Sequence, residues 1–102
     1  MSNKILTLLG FASKAGKLSY GFAASTDSIK QKKSRLVIIA SDISEKSKKE
    51  TRFIAGKSGV KVLELDAGQT TISNAVGRSC GIISINDDSF ASAVAEEFGR
   101  KC

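Results

Sequence analysis

One stretch limits the possible folds of this 102-residue chain more than any other: Leu36-Val37-Ile38-Ile39-Ala40, an unbroken apolar run rich in β-branched residues. Charge precedes it and Ser41-Asp42 follows it. A strand with one face in water alternates apolar and polar residues, whereas a run with no polar member reads as a strand covered on both faces. Covering both faces takes helices above and below, and the remaining sequence offers them.

Ile5, Leu8, Leu9 and Ala12 recur at i, i+3, i+4 and i+7, which predicts a first helix capped by Asn3 or Ser2 and stopped at Gly16. Lys4 followed by Ile5 to Leu9 has the loose outline of a signal peptide, but the run is short and its period is helical. Lys17 to Tyr20 has room for a short strand, and Gly21 is expected to cap a second helix that passes through Phe22, Thr26 and Ile29 into a basic cluster. Asp42-Ile43-Ser44-Glu45 has the spacing of a capping box and predicts a third helix over 44–55, ending at Gly56 or Gly59.

Val60, Val62, Leu63 and Leu65 mark the next strand. Asp66-Ala67-Gly68-Gln69 repeats the capping-box spacing before a fourth helix with Ile72, Ala75 and Val76 on one stripe and Gly77 as its stop. Gly81 to Ile85 forms a further strand. Asn86, Asp87 and Asp88 then open a last helix whose buried face is Phe90, Ala91, Val94 and Phe98 and whose end is Gly99. Helix and strand alternate throughout, which implies an α/β chain folded as a three-layer α/β/α sandwich. The length suits a single domain over 1–102.

Charge separates this chain from a generic sandwich. Residues 30–57 hold nine of the sixteen basic residues against three acids, a net +6 that equals the charge of the whole protein. A field concentrated in about a quarter of the chain attracts polyanions, and lysine and arginine contacts to phosphate supply most non-specific nucleic-acid affinity. The expectation is a basic rim that docks a folded polyphosphate. Aromatic platforms are sparse, with only Tyr20 and Phe22 near an expected loop, so recognition by shape and backbone fits better than base stacking.

Other chemistry finds few of its parts. Histidine is absent, which removes the commonest general base and metal ligand. Cys80 and Cys102 have neither zinc-site spacing nor a disulfide framework, and their use suits a reducing, cytoplasmic location. Cys80, near Arg78, reads as a small packed residue rather than a nucleophile. Gly10 to Lys17 and Thr51 to Ser58 only approximate a phosphate-binding P-loop and sit at helix ends. The acid pairs Asp87-Asp88 and Glu96-Glu97 are adjacent in sequence and so point in different directions on a helix. No cofactor, metal or membrane span is expected.

Several blocks together resemble the ribosomal protein L7Ae family, in particular its small bacterial members. They are Leu8-Leu9-Gly10-Phe11-Ala12-Ser13-Lys14-Ala15-Gly16-Lys17-Leu18, the glycine at Gly21, Arg35 to Asp42, and Ile83-Ser84-Ile85-Asn86-Asp87-Asp88-Ser89-Phe90-Ala91. The resemblance spans essentially the full length and implies a sandwich around a mixed four-stranded sheet that binds structured RNA, typically a kink-turn, in ribosomal RNA or another ribonucleoprotein. It places RNA against Gly21 to Asp27, Ser41 to Ile43 and Gly77 to Cys80. A triplet of Thr-Asn-Glu type and a nearby lysine read the kink-turn in that family. Here those places hold Phe22, Ala23, Ala24 and Asp27.

Alanine cannot hydrogen-bond a base edge, and Asp27 repels phosphate. Weak binding, a different RNA element, or reliance on Lys14, Lys17, Lys30, Lys33 and Arg35 all stay open. The RNA-binding residues expected are therefore Lys14, Lys17, Gly21, Phe22, Ala23, Ala24, Lys30, Lys33, Arg35, Ser41, Asp42, Arg78 and Ser79. The competing expectation is a protein-interaction module on the same fold that docks an acidic protein partner.

Overall fold

The computed structural model describes residues 3–100, with side chains from Lys4. Ser2, one of the two expected caps, and the terminal Cys102 fall outside what is described, as does the side chain of Asn3. The elements are α1 (Asn3–Lys14), β1 (Leu18–Tyr20), α2 (Gly21–Lys30), β2 (Leu36–Ile39), α3 (Glu45–Lys57), β3 (Val62–Glu64), α4 (Gln69–Val76), β4 (Ile82–Ile85) and α5 (Asp88–Arg100). The strands form one sheet in the order β1-β4-β2-β3. β4 runs antiparallel to both β1 and β2, and β3 runs parallel to β2.

The apolar run divides between two cores because strand side chains alternate. Leu36 and Ile38 join Ile83 and Ile85 in the larger core, beneath Ile5 and Leu9 of α1, Ile72 of α4 and Val94 of α5. Val37 and Ile39 face the other way, where Ile29 of α2 and Ala55 of α3 cover them. Each fully buried isoleucine contributes about 1.5–3 kcal/mol relative to exposure, so both helical layers are needed to keep this strand dry. Among the described residues, no helix is long and apolar enough to cross a membrane.

The smaller core is partly polar. Ser84, opposite both Ser19 and Val37 in the sheet, has its Oγ 2.7 Å from Ser34 Oγ and 2.7 Å from Asn86 Oδ1. Asn86 Nδ2 donates to Ser19 Oγ at 2.9 Å, which in turn lies 2.6 Å from Ser28 Oγ on α2. Hydroxyls thus join the hydrocarbon of Ile29 in holding the C-terminal half of α2 on the sheet.

α1, α2 and α3 end in the same motif. In each, the amide two residues past the cap reaches back to the carbonyl five residues earlier: Lys17 to Ala12, Lys33 to Ser28 and Val60 to Ala55, at 2.9–3.0 Å. The left-handed position is Gly16 after α1, Gly59 after α3 and Lys32 after α2, with φ of 71°, 72° and 64°.

Four boundaries differ from the sequence expectation. α3 starts after Ser44, whose Oγ accepts from the Ser47 N–H, so Asp42 is not its cap, while its end at the Gly59 motif matches one of the two expected stops. α4 is preceded by Gly68 rather than by a capping Asp66. α2 is bounded by extended Tyr20 instead of by Gly21, which is its first residue at φ +87°. α5 continues through Gly99, because Arg100 pairs back to Glu96 at 3.1 Å and Glu97 at 3.6 Å across the last turn.

Candidate nucleic-acid interface

Sheet register decides which of the expected residues can meet. Tyr20 lies opposite Ile83, and Ile39 opposite Ile82, so the end of β1, the start of β4 and the end of β2 share one end of the sheet. That end carries Gly21, Phe22, Ala23 and Ala24 at the start of α2, Ser41 and Asp42 after β2, and Arg78 and Ser79 before β4. Two contacts tie it together. The Arg78 guanidinium sits over the Tyr20 ring, 4.8 Å from its centre, and the Ala40 N–H donates to the Gly81 carbonyl at 2.9 Å.

Tyr20 is itself fixed. Its hydroxyl lies 2.6 Å from Ser13 Oγ, which donates to the Val76 carbonyl at 2.7 Å. Exposed Lys14, the last residue of α1, follows Ser13 in the chain. The first amides of α2 have no side-chain cap, and the helix begins at the left-handed Gly21, directly after Tyr20, whose ring Arg78 covers. Backbone N–H groups and a cation at a helix start suit a phosphate oxygen. Phe22, Ala23 and Ala24 are exposed and line a shallow groove with Thr26, Asp27 and Lys30.

Asp42 belongs to this end but is already engaged. Its Oδ1 accepts the Gln69 N–H at 2.9 Å, which caps α4 from another part of the chain. Gly68 permits the approach, since a Cβ there would come within 2.9 Å of Asp42 Oδ2. Gly81 is similarly constrained, because a Cβ would meet Ile43 Cγ2 at 2.7 Å.

The other expected cations lie elsewhere. Leu18 and Leu36 both pair with Ile85, so Lys17 and Arg35 flank the opposite end of the sheet, with Lys33 in the α2–β2 connection near Arg35. Lys30 ends α2 on that side. A single basic rim is thus replaced by two ends with α2 running between them. The sequence could not show this, because it depends on which way each strand points.

Part of the positive charge is also offset internally. Lys48 Nζ reaches Glu64 at 3.1 Å and Glu45 at 3.3 Å, Arg52 reaches Glu64 at 3.1 Å, and Arg35 Nε lies 3.0 Å from Asp88. The Lys48 hydrogen bond is the main cause holding the Glu64 carboxyl below the ordinary range, with Arg52 adding to it; the same bond raises Lys48. Two basic residues that the sequence reading left out of the site, Lys32 and Lys57, instead line a cleft at the second end.

Cys80 is buried, and burial pushes its thiol up, opposed by a hydrogen bond from Ser73. Arg78 turns to Tyr20 rather than activating it. Among the described residues, no group of three or more histidine, cysteine, aspartate or glutamate side chains could hold a metal ion.

A family model described as "Ribosomal protein L7Ae/L30e/S12e/Gadd45 family" matches residues 3–95. The chain is 30% identical over 93 residues to the RNA-binding protein YlxQ of Enterococcus faecium, covering 91% of this chain and 89% of that one. It is 33% identical over 79 residues to large ribosomal subunit protein eL30 of Saccharomyces cerevisiae, covering 76% and 75%. Among solved structures, a protein of unknown function from Bacillus halodurans superposes with a TM-score of 0.88 at 25% identity, covering 93% of this chain and 96% of that one. The Giardia lamblia 15.5kD RNA binding protein shares the fold at a TM-score of 0.77 and 19% identity, covering 98% and 89%.

Proposed function

The chain belongs to the ribosomal protein L7Ae/L30e/S12e/Gadd45 family, and on that premise we propose that it binds structured RNA as a non-catalytic, ribosomal-protein-like module through the Gly21 end of its sheet. The supporting observation is the convergence of the open amides of α2, Arg78 stacked on Tyr20, and the β2–α3 segment at Ser41. Relatives with RNA-binding and ribosomal names agree with it. The mechanism is docking: the phosphate backbone meets the α2 amides and Arg78, Gly21 lets it come close, and shape selects the RNA. The proposed target class is a ribosomal or kink-turn-like element, held without the base-reading triplet that Phe22, Ala23 and Ala24 replace.

The test is fluorescence anisotropy with a kink-turn RNA, a plain RNA hairpin and duplex DNA at several salt concentrations. Preference for folded RNA is expected, with affinity falling linearly against log salt, and Arg78→Glu should weaken binding about tenfold. Equal affinity for duplex DNA at low salt rejects the reading. It would favour a protein-docking module, for which the exposed apolar surface of Phe22, Ala23 and Ala24 is the supporting observation.

A further inference from the structure

At the far end of the sheet, the C-terminal ends of α2 and α3 enclose a cleft of about 440 Å³. Its lining includes Lys30, Lys32, Arg35 and Lys57 and no acidic residue. Arg35 is shared with Asp88, at 3.0 Å, and also donates through Nη1 to the Lys32 carbonyl at 3.0 Å. The Lys57 ammonium lies 5.2 Å from the centre of the exposed Phe53 ring. Among the described residues, Lys30, Lys32 and Lys57 form no ion pair with an acid.

Two effects oppose an anion here, since helix C-termini carry partial negative charge. Each amounts to roughly half a charge, against the three cations Lys30, Lys32 and Lys57 besides the Asp88-paired Arg35, and the terminal carbonyls are already occupied. Ser28 and Ile29 accept from Lys33 and Lys32, and Ala55 and Gly56 from Val60 and Gly59. The balance is positive.

Lys32 gives the cleft its second argument. It occupies the left-handed position that the α1 and α3 motifs fill with Gly16 and Gly59, at φ +64°. A side chain is disfavoured there, so the fold keeps a cation in the cleft at a cost that glycine would remove. Lys30 supplies the third, because it lines both this cleft and the groove along α2 that starts at Phe22. One surface therefore runs the length of α2, about 15 Å for ten residues.

Resting on the RNA reading above, we propose that the α2–α3 cleft is a second backbone site, which receives the phosphodiesters of an RNA strand extending along α2 from the Gly21 end. The protein grips one RNA at two separated places, and the distal grip acts on the backbone charge through Lys30, Lys32, Arg35 and Lys57. Asp27 lies in the α2 groove between them, its carboxylate accepting from Gln31 Nε2 at 2.9 Å.

The test compares wild type, Lys32→Gly with Lys57→Gln, and Arg78→Glu on two RNAs that share one folded core, one of them with an extended flanking strand. The cleft variant should bind the extended RNA about tenfold more weakly, with a salt slope lower by about 1.5, and bind the short RNA like wild type. Lys32→Gly alone should raise the denaturation midpoint while weakening the extended complex, opposite signs that a merely structural lysine would not produce. Wild-type behaviour of the cleft variant on both RNAs overturns the proposal. Loss with the cleft variant but none with Arg78→Glu upholds the cleft and rejects the Gly21 end. Binding of inorganic phosphate that Lys57→Gln abolishes, with RNA affinity unchanged, makes the cleft a small-anion site and also overturns the proposal.

Discussion

The Asp42 carboxylate caps a helix that begins 27 residues later in the chain, accepting the Gln69 N–H at 2.9 Å. It thereby joins the end of β2 to the start of α4 beside the proposed RNA-docking end. Asp42→Ala should cost about 1 kcal/mol in urea denaturation, the ordinary worth of an N-cap. Gly68→Ala, whose Cβ would displace that carboxylate, should cost less in the Asp42→Ala background than alone. Strict additivity of the two would contradict the contact.

Gly21 joins β1 to α2 at φ +87°, a region in which a side chain costs about 1–2 kcal/mol. Gly21→Ala should lower stability by that amount although open space surrounds the added methyl. An unchanged denaturation midpoint would show that the turn tolerates another geometry.

Thr51, fully buried on α3, has a hydroxyl with no hydrogen-bond partner. Burying an unpaired hydroxyl costs about 1–3 kcal/mol, and valine has nearly the same shape. Thr51→Val should therefore stabilise the protein by about 1 kcal/mol, read as a higher urea midpoint at constant slope. Destabilisation would mean that the hydroxyl is satisfied in solution.

The Lys48–Glu64–Arg52 cluster predicts a pH dependence. Glu64 is held below its ordinary value in the folded state, so its contribution is present above the unfolded value and lost as the pH falls through the folded one. Lys48 is raised, so its share is complete below the ordinary lysine value and lost as the pH rises through the raised one. Glu64→Gln should flatten the acid limb of stability between neutral and strongly acid pH. The same acid limb in both proteins would place the titration elsewhere.

Burial keeps the Cys80 thiol protonated at neutral pH. Peptide mapping after iodoacetamide treatment should find Cys80 unmodified in native protein and alkylated once it is unfolded. Rapid native labelling would contradict the packing.

The elements were readable where their signals are local. The apolar run gave β2 its two covered faces, and glycines stopped α1 and α4 at Gly16 and Gly77, both left-handed in the structure. Asp42 misled because its carboxylate is spaced like a local cap while its actual donor lies on another element. Lys32 gave no signal, since a lysine at a left-handed helix end looks like one more residue of a basic run. The serine and asparagine network under α2 was equally hidden, being assembled from residues as far apart as Ser19 and Asn86. The two-ended placement of the cations follows from strand direction, which charge counting does not contain.

The outermost strands, β1 and β3, are three residues long, and each is preceded by a lysine, Lys17 or Lys61. So brief a ladder offers another chain few unpaired amides, and the flanking charges repel a second copy approaching edge to edge. Short strands flanked by charge thus disfavour association of two copies of this chain through their sheet edges.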